Sequence, residues 1–176
     1  LAQVIIASAR EFGEKVHFTL VGSGSLKAGL LETVRMHGAE KNVTDAGTLN
    51  RQQIVVMYAT HHLLILTSYD EGFPRVFMEA AIAGMPVITT NVGGVKDLIV
   101  DGESGFVLPQ GSTAEDFVQK IKILVENQKL LDSLSQGIRR TWDEHYGGKT
   151  ILDYQKPLVA FLGERLSSLQ PVVRER

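Results

Sequence analysis

The stretch from Leu63 to Thr90, LLILTSYDEGFPRVFMEAAIAGMPVITT, constrains this chain more than any other. Leu63 to Leu66 is too short for a buried helix and is ended by turn chemistry, so it reads as a strand buried on both faces. Pro74 stands where the first residue of a helix would be, a position that needs no amide hydrogen and suits a fixed φ. The helix runs to about Ala83, Gly84 closes it, and Pro86-Val87-Ile88-Thr89-Thr90 begins the next strand. Strand, helix and strand form one β-α-β unit of a parallel sheet.

Within that helix Val76, Phe77, Met78, Ala80, Ala81, Ile82 and Ala83 leave no solvated face, so it must lie against the sheet and be covered. Only Arg75 and Glu79 interrupt it, four positions apart and hence on one face. One reading makes them an ion pair on an otherwise buried helix. The turn before the helix argues for another, because Asp70-Glu71-Gly72-Phe73 brings a second carboxylate and a glycine to the carboxyl end of a parallel strand, where open α/β sheets bind ligands.

EGFPRVFME places Glu71 and Glu79 in an E-x7-E pattern, and TSYDEGFPRVFMEAAIAGMPVITTNVGG is similar, nearly residue by residue, to the serine, EGFP, EA, G-x-PV and GG landmarks of glycosyltransferase family four, the group 1 enzymes. The likeness extends from about Val16 to about Pro109, with a looser helical match beyond. It implies an α/β fold: a Rossmann-like parallel sheet flanked by helices, the C-terminal, donor-binding half of a retaining GT-B glycosyltransferase, spanning residues 1–170 with a tail at 171–176. It also implies that the sugar nucleotide is a substrate, and that neither a cofactor nor a metal is needed.

The chain has 176 residues, one domain by size and long enough to bury roughly 70% of the surface that its unfolded form exposes. Its formal net charge of −2 argues against a nucleic-acid-binding surface. The absence of cysteine excludes disulfides and thiolate chemistry, which fits a reducing, cytoplasmic setting. No apolar run approaches the roughly 20 residues that span a bilayer, and no signal peptide is visible. The chain opens at Leu1 without an initiator methionine and reads as an excised piece.

Taken in order, Leu1 to Phe12 is an amphipathic helix and Val16 to Val21 a strand, broken by Gly22-Ser23-Gly24 before a helix over Leu26–Met36. Unshared amides at a helix start favour an anion, so this turn is a candidate phosphate cradle. G-S-G keeps neither P-loop nor dinucleotide spacing, however, and a tight turn without a ligand is equally open. Asn42 to Gly47 is a short strand, and Asn50 caps a helix over Arg51–Thr60. His61 and His62 are adjacent and lack metal-ligand spacing, so they read as a helix end or loop. Asn91-Val92-Gly93-Gly94 is a loop in which two glycines permit close backbone approach. Phe106 to Leu108 is a last strand. Thr113 caps a helix with a Phe117, Ile121 and Leu124 stripe, and amphipathic helices follow over about Gln128–Trp142 and Thr150–Leu169. Trp142, Tyr146, Tyr154 and Phe161 read as packing aromatics.

A sugar nucleotide needs a site for two phosphates, acceptors for its hydroxyls and a slot for its base. Amides at the start of the helix after Pro74 suit the diphosphate, and carboxylates suit diols. By resemblance Glu79 lies on the ribose diol and Glu71 is the catalytic carboxylate near the transferred sugar. The same resemblance puts Gly72 and Phe73 along the phosphates, Gly22 and Gly24 near them, Leu49 at the base, and Gly93 and Gly94 beside the donor. Family members hold the diphosphate with an arginine and a lysine just before the first helix seen here, and no residue of this chain matches either. The first strand of the sheet, which carries that pair, and the acceptor-binding domain are likewise expected to be missing; that domain, through which peripheral membrane contact would come, and the sugar-nucleotide donor are the expected partners, and the chain alone is expected to be inactive. A non-catalytic nucleotide, sugar or partner-binding module of the same fold and a GT-B epimerase are the alternatives.

Overall fold

The computed structural model describes residues 1–69 and 75–146, the last two by their backbone. Alternating helices and strands follow the punctuation of the sequence: α1 (Ala2–Phe12), β1 (Phe18–Val21), α2 (Lys27–Met36), β2 (Val43–Gly47), α3 (Arg51–Thr60), β3 (Leu64–Leu66), α4 (Arg75–Ala83), β4 (Val87–Thr90), β5 (Gly105–Leu108), α5 (Ala114–Glu126) and α6 (Gln128–Tyr146). Asn50 accepts from the Gln53 amide while the Gln53 side chain accepts from the Asn50 amide, and Thr113 and Asp116 repeat this reciprocal cap on α5. Gly84, at φ 70°, ends α4, with its own amide on the Ala81 carbonyl and that of Met85 on the Ala80 carbonyl. The expected helix over Thr150–Leu169, Tyr154, Phe161 and the tail lie outside the described residues.

Every strand pairing among the described residues is parallel. β1 pairs with β2, and β3 with β4 and β4 with β5, giving two ladders, β1-β2 and β3-β4-β5. Strand alternation sends neighbouring side chains to opposite faces and thereby builds two cores. Val87 joins Phe77, Met78, Ala81, Val95, Leu98, Ile138 and Trp142 under α4 and α6. Ile88 joins Val4, Ile5, Phe18, Phe106, Phe117, Ile121 and Leu134 under α1 and α5. Because Phe18 of β1 shares the second core with Ile88 of β4, both ladders belong to one α/β/α sandwich.

β3 departs from the sequence expectation. Leu63 to Leu66 are half-buried, whereas all four residues of β4 are buried. The reason is positional: among the described residues β3 is paired only with β4, and its other edge faces β1 across a cavity of about 420 Å³ lined by Phe18, Leu20, Leu64, Ile65, Ile121 and Leu124 among others. His61 bridges this region. Its Nδ1 lies 3.0 Å from the Met57 carbonyl and its Nε2 2.9 Å from the Thr19 hydroxyl. The histidine closes α3 and ties it to β1, a structural role as expected.

Candidate sugar-nucleotide site

Parallel strands place their following loops at one end of a sheet, and each described residue singled out by sequence falls in such a loop or in the helix after it. Gly22 and Gly24 follow β1, Leu49 follows β2, residues 70–74 follow β3 and lead into α4 with Glu79, and Gly93 and Gly94 follow β4. Glu71, Gly72 and Phe73 lie outside the described residues.

The first two loops are pinned together. The Gly22 amide donates to the Gly47 carbonyl at 2.7 Å, and Lys27 Nζ donates both to the Gly22 carbonyl at 3.1 Å and to Asp45 Oδ1 at 2.8 Å. Asp45 Oδ1 also accepts from the Gly47 amide at 2.9 Å. The Lys27 ammonium, then the Gly47 amide, hold the Asp45 carboxyl below its usual range. Asp45, out of place for a buried strand, is explained: β2 is a half-exposed edge and its acid anchors the turn after β1. Gly22 has φ 114°, whereas Gly24 has neither a positive φ nor any neighbour near its Cβ position. Leu49 is half-buried and lines a shallow apolar depression with Gln52, Gln53, Val56 and Met57.

The loops after β3, β4 and β5 form a second pinned group. Thr90 Oγ1 donates to the Ser68 carbonyl at 2.6 Å, Gln110 Nε2 donates to the Tyr69 carbonyl at 2.9 Å, and the Asn91 amide donates to the Leu108 carbonyl at 2.8 Å. Gly93, at φ 50°, is exposed, and Val92 and Val95 on either side of the glycine pair anchor the loop in the core that holds Phe77 and Met78 of α4.

Glu79 is not paired with Arg75. Arg75 is exposed, and the ion pairs among the described residues are Lys27–Asp45, Arg35–Glu32, Lys41–Glu14 and Lys122–Glu11. Half-buried Glu79 instead accepts from the Tyr58 hydroxyl at Oε2, 3.1 Å away, and the same hydroxyl lies 3.3 Å from the Val76 carbonyl. Burial first, and then the Glu79 charge, push the Tyr58 phenol well above its ordinary range, so it stays a donor at neutral pH. Sequence reasoning missed Tyr58, since nothing local marks an aromatic near the end of α3 as a partner for a helix that follows a strand and a turn.

The cavity between β1 and β3 contains none of these residues; it is lined by His17, His61 and His62, which precede or begin the strands. Among the described residues no group of three histidine or acidic side chains is placed to hold a metal ion, and no helix is long and apolar enough to cross a membrane.

The family model for group 1 glycosyl transferases matches residues 2–141. This chain belongs to that family. It is 30% identical over 142 residues to a D-inositol 3-phosphate glycosyltransferase of Streptomyces bingchenggensis, covering 74% of this chain and 31% of that one. The fold is similar to that of HepE from Anabaena, solved in complex with UDP, with a TM-score of 0.73 at 23% identity over 94% of this chain and 44% of the other. It is also similar to the C-terminal domain of the group 1 protein LpcC from Francisella tularensis, with a TM-score of 0.71 at 22% identity over 82% of this chain and 76% of that domain. Both likenesses bear out the Rossmann-like α/β reading. The chain spans about a third of the length of the Streptomyces relative.

Proposed function

We propose that this chain is the donor-binding domain of a retaining hexosyltransferase and binds a nucleoside-diphosphate sugar in the loops that follow its parallel strands. The observation that carries the reading is Glu79: a half-buried carboxylate on α4 that accepts from a neutral hydroxyl and, among the described residues, is paired with no cation. A carboxylate so held retains its acceptor capacity for a diol, and charge-assisted bonds of this kind contribute roughly 1.5–3 kcal/mol each. Family membership and the occurrence of UDP on the same fold in HepE support a nucleotide as ligand.

In this reading Glu79 binds the ribose hydroxyls and Leu49 packs on the base. The backbone of Gly72, Phe73, Gly93 and Gly94 and the turn of Gly22 and Gly24 border the diphosphate. Amides at the start of α4 stabilise the negative charge that gathers on the nucleoside diphosphate as its bond to the anomeric carbon breaks. Glu71 orients the sugar while the acceptor oxygen bonds to the anomeric carbon from the face that the diphosphate leaves, and the acceptor's hydroxyl proton passes to the departing phosphate oxygen. No metal or cofactor enters this scheme. A second domain supplies the acceptor and the remaining phosphate contacts, so the chain alone binds but does not turn over, and a cytoplasmic setting gives it access to sugar nucleotides.

Calorimetric titration with UDP, GDP and ADP in the presence of a chelator tests the reading. One of the three binds, and Glu79→Ala weakens it at least about tenfold. Absence of binding by all three, or a Glu79→Ala chain that binds as the parent does, overturns the assignment.

A further inference from the structure

We propose that Tyr58 is the positioning residue of the nucleotide site: its hydroxyl fixes the carboxylate of Glu79 so that one oxygen is engaged by the protein and the other is presented to the ligand. This rests on the reading that Glu79 binds the ribose diol and adds a residue that neither the E-x7-E pattern nor the strand-end loops contain. Three observations carry it. The hydroxyl donates to Oε2 at 3.1 Å, while among the described residues Oε1 has no protein donor. The ring is packed against the core that contains Val55, Phe77 and Met78, so the hydroxyl is set by buried side chains and not by a mobile surface group. The Val76 carbonyl, 3.3 Å away, is the alternative acceptor for the hydroxyl's single proton and lies, like Glu79, on α4, so both acceptors hold the oxygen over that helix.

The physical consequence is preorganisation. A glutamate side chain on a helix has several rotamers, and ordering it on binding costs affinity unless the protein has already done so. Arg75, the only cation at helical spacing on α4, is exposed and makes no ion pair with Glu79, so it does not perform this task. A neutral donor orders the carboxylate without cancelling its charge, which a guanidinium in the same place would do.

The test is a double-mutant cycle of Tyr58→Phe and Glu79→Gln in the 176-residue chain, read by affinity. The probes are whichever of UDP, GDP and ADP binds, and its 2′,3′-dideoxy counterpart. Tyr58→Phe keeps the ring and its packing, and urea unfolding of each variant checks that the fold persists. Tyr58→Phe weakens the ribonucleotide about fivefold, the loss expected for one intramolecular hydrogen bond. It leaves the dideoxynucleotide unchanged, and it adds nothing in the Glu79→Gln background. Three outcomes overturn the inference while sparing the role of Glu79: no loss in Tyr58→Phe when Glu79→Gln weakens binding, equal loss for both nucleotides, or losses that add. A Glu79→Gln chain that binds like the parent, or a parent that binds no nucleotide, removes the reading on which the inference rests and the inference with it.

Discussion

Lys27 and Asp45, eighteen residues apart, meet at 2.8 Å over the ends of two parallel strands, and the lysine reaches the Gly22 carbonyl as well. The pair therefore holds the glycine turn after β1 in register with the end of β2, at the place where the phosphates of a sugar nucleotide are proposed to lie. Because Lys27 is already engaged, it is a strut for the loop and not a free cation awaiting an anion.

The pair makes stability depend on pH with a definite sign. The Asp45 carboxyl is held below its usual range by Lys27 and Gly47, so the folded state binds its proton less readily than the unfolded one. The contribution is fully present above the ordinary carboxylate pKa of about 3.9 and is lost as pH falls through the lowered folded value. Asp45→Asn is therefore less stable than the parent at pH 7, and the difference shrinks on acidification. Urea midpoints at pH 7 and pH 3 check this, and a gap that widens in acid contradicts it.

Much of the fold was legible because its signals are local. Asn50 and Gln53, Thr113 and Asp116, and Gly84 each stand within one turn of the helix end that they define, and the structure places those ends where the spacing puts them. The alternation that sends Val87 and Ile88 to opposite cores is local too. What the sequence did not reveal is carried by pairs distant along the chain. Tyr58 and Glu79 are twenty-one residues apart, and Lys27 and Asp45 belong to different β-α units. The exposure of β3 is equally non-local: its composition is that of a buried strand, and it is the placement of β1 beyond the cavity that leaves its edge unpaired among the described residues. Sequence reasoning therefore named the carboxylates and missed the hydroxyl that orders one of them.

Two glycines within helices are expected to answer oppositely to alanine. A Cβ on Gly29 of α2 meets nothing within 4 Å, so Gly29→Ala should gain about 0.5–1 kcal/mol from helix propensity. A Cβ on Gly137 of α6 would stand 1.8 Å from the Glu103 carbonyl oxygen, a backbone atom that cannot swing aside. Gly137→Ala should lose roughly 1–3 kcal/mol by forcing α6 off the turn before β5. Thermal unfolding of the two variants separates these outcomes, and a shift in the same direction for both would contradict the packing described.

Ser8 is fully buried on α1, and its hydroxyl has no hydrogen-bond partner among the described residues. A buried hydroxyl without a partner is destabilising relative to a methyl group in the same space. Ser8→Ala is expected to raise stability by about 1 kcal/mol, visible as a higher urea midpoint with an unchanged slope. A loss of similar size would mean that the hydroxyl is bonded in solution.

The split between the two ladders predicts an uneven distribution of opening free energy. Local unfolding is easiest where few apolar contacts and few protected hydrogen bonds must be given up. β4 is paired on both sides, and its Val87 and Ile88 anchor opposite cores, so opening it disrupts both layers of helices at once. Among the described residues β1 is paired on one side only, by a ladder that is irregular between Leu20 and Val21, and its partner β2 is half-exposed. The amides of Val87 to Thr90 that bond to β3 or β5 should therefore exchange slowest in native-state hydrogen exchange, near the rate set by global unfolding, and those of Phe18 to Val21 and Val43 to Gly47 should exchange faster through sub-global opening. Saturating nucleotide that bridges the loops after β1 and β4 should slow both groups, by the same factor wherever opening releases it. Equal protection across both ladders in the free chain would show that the cavity between β1 and β3 does not divide the sheet energetically.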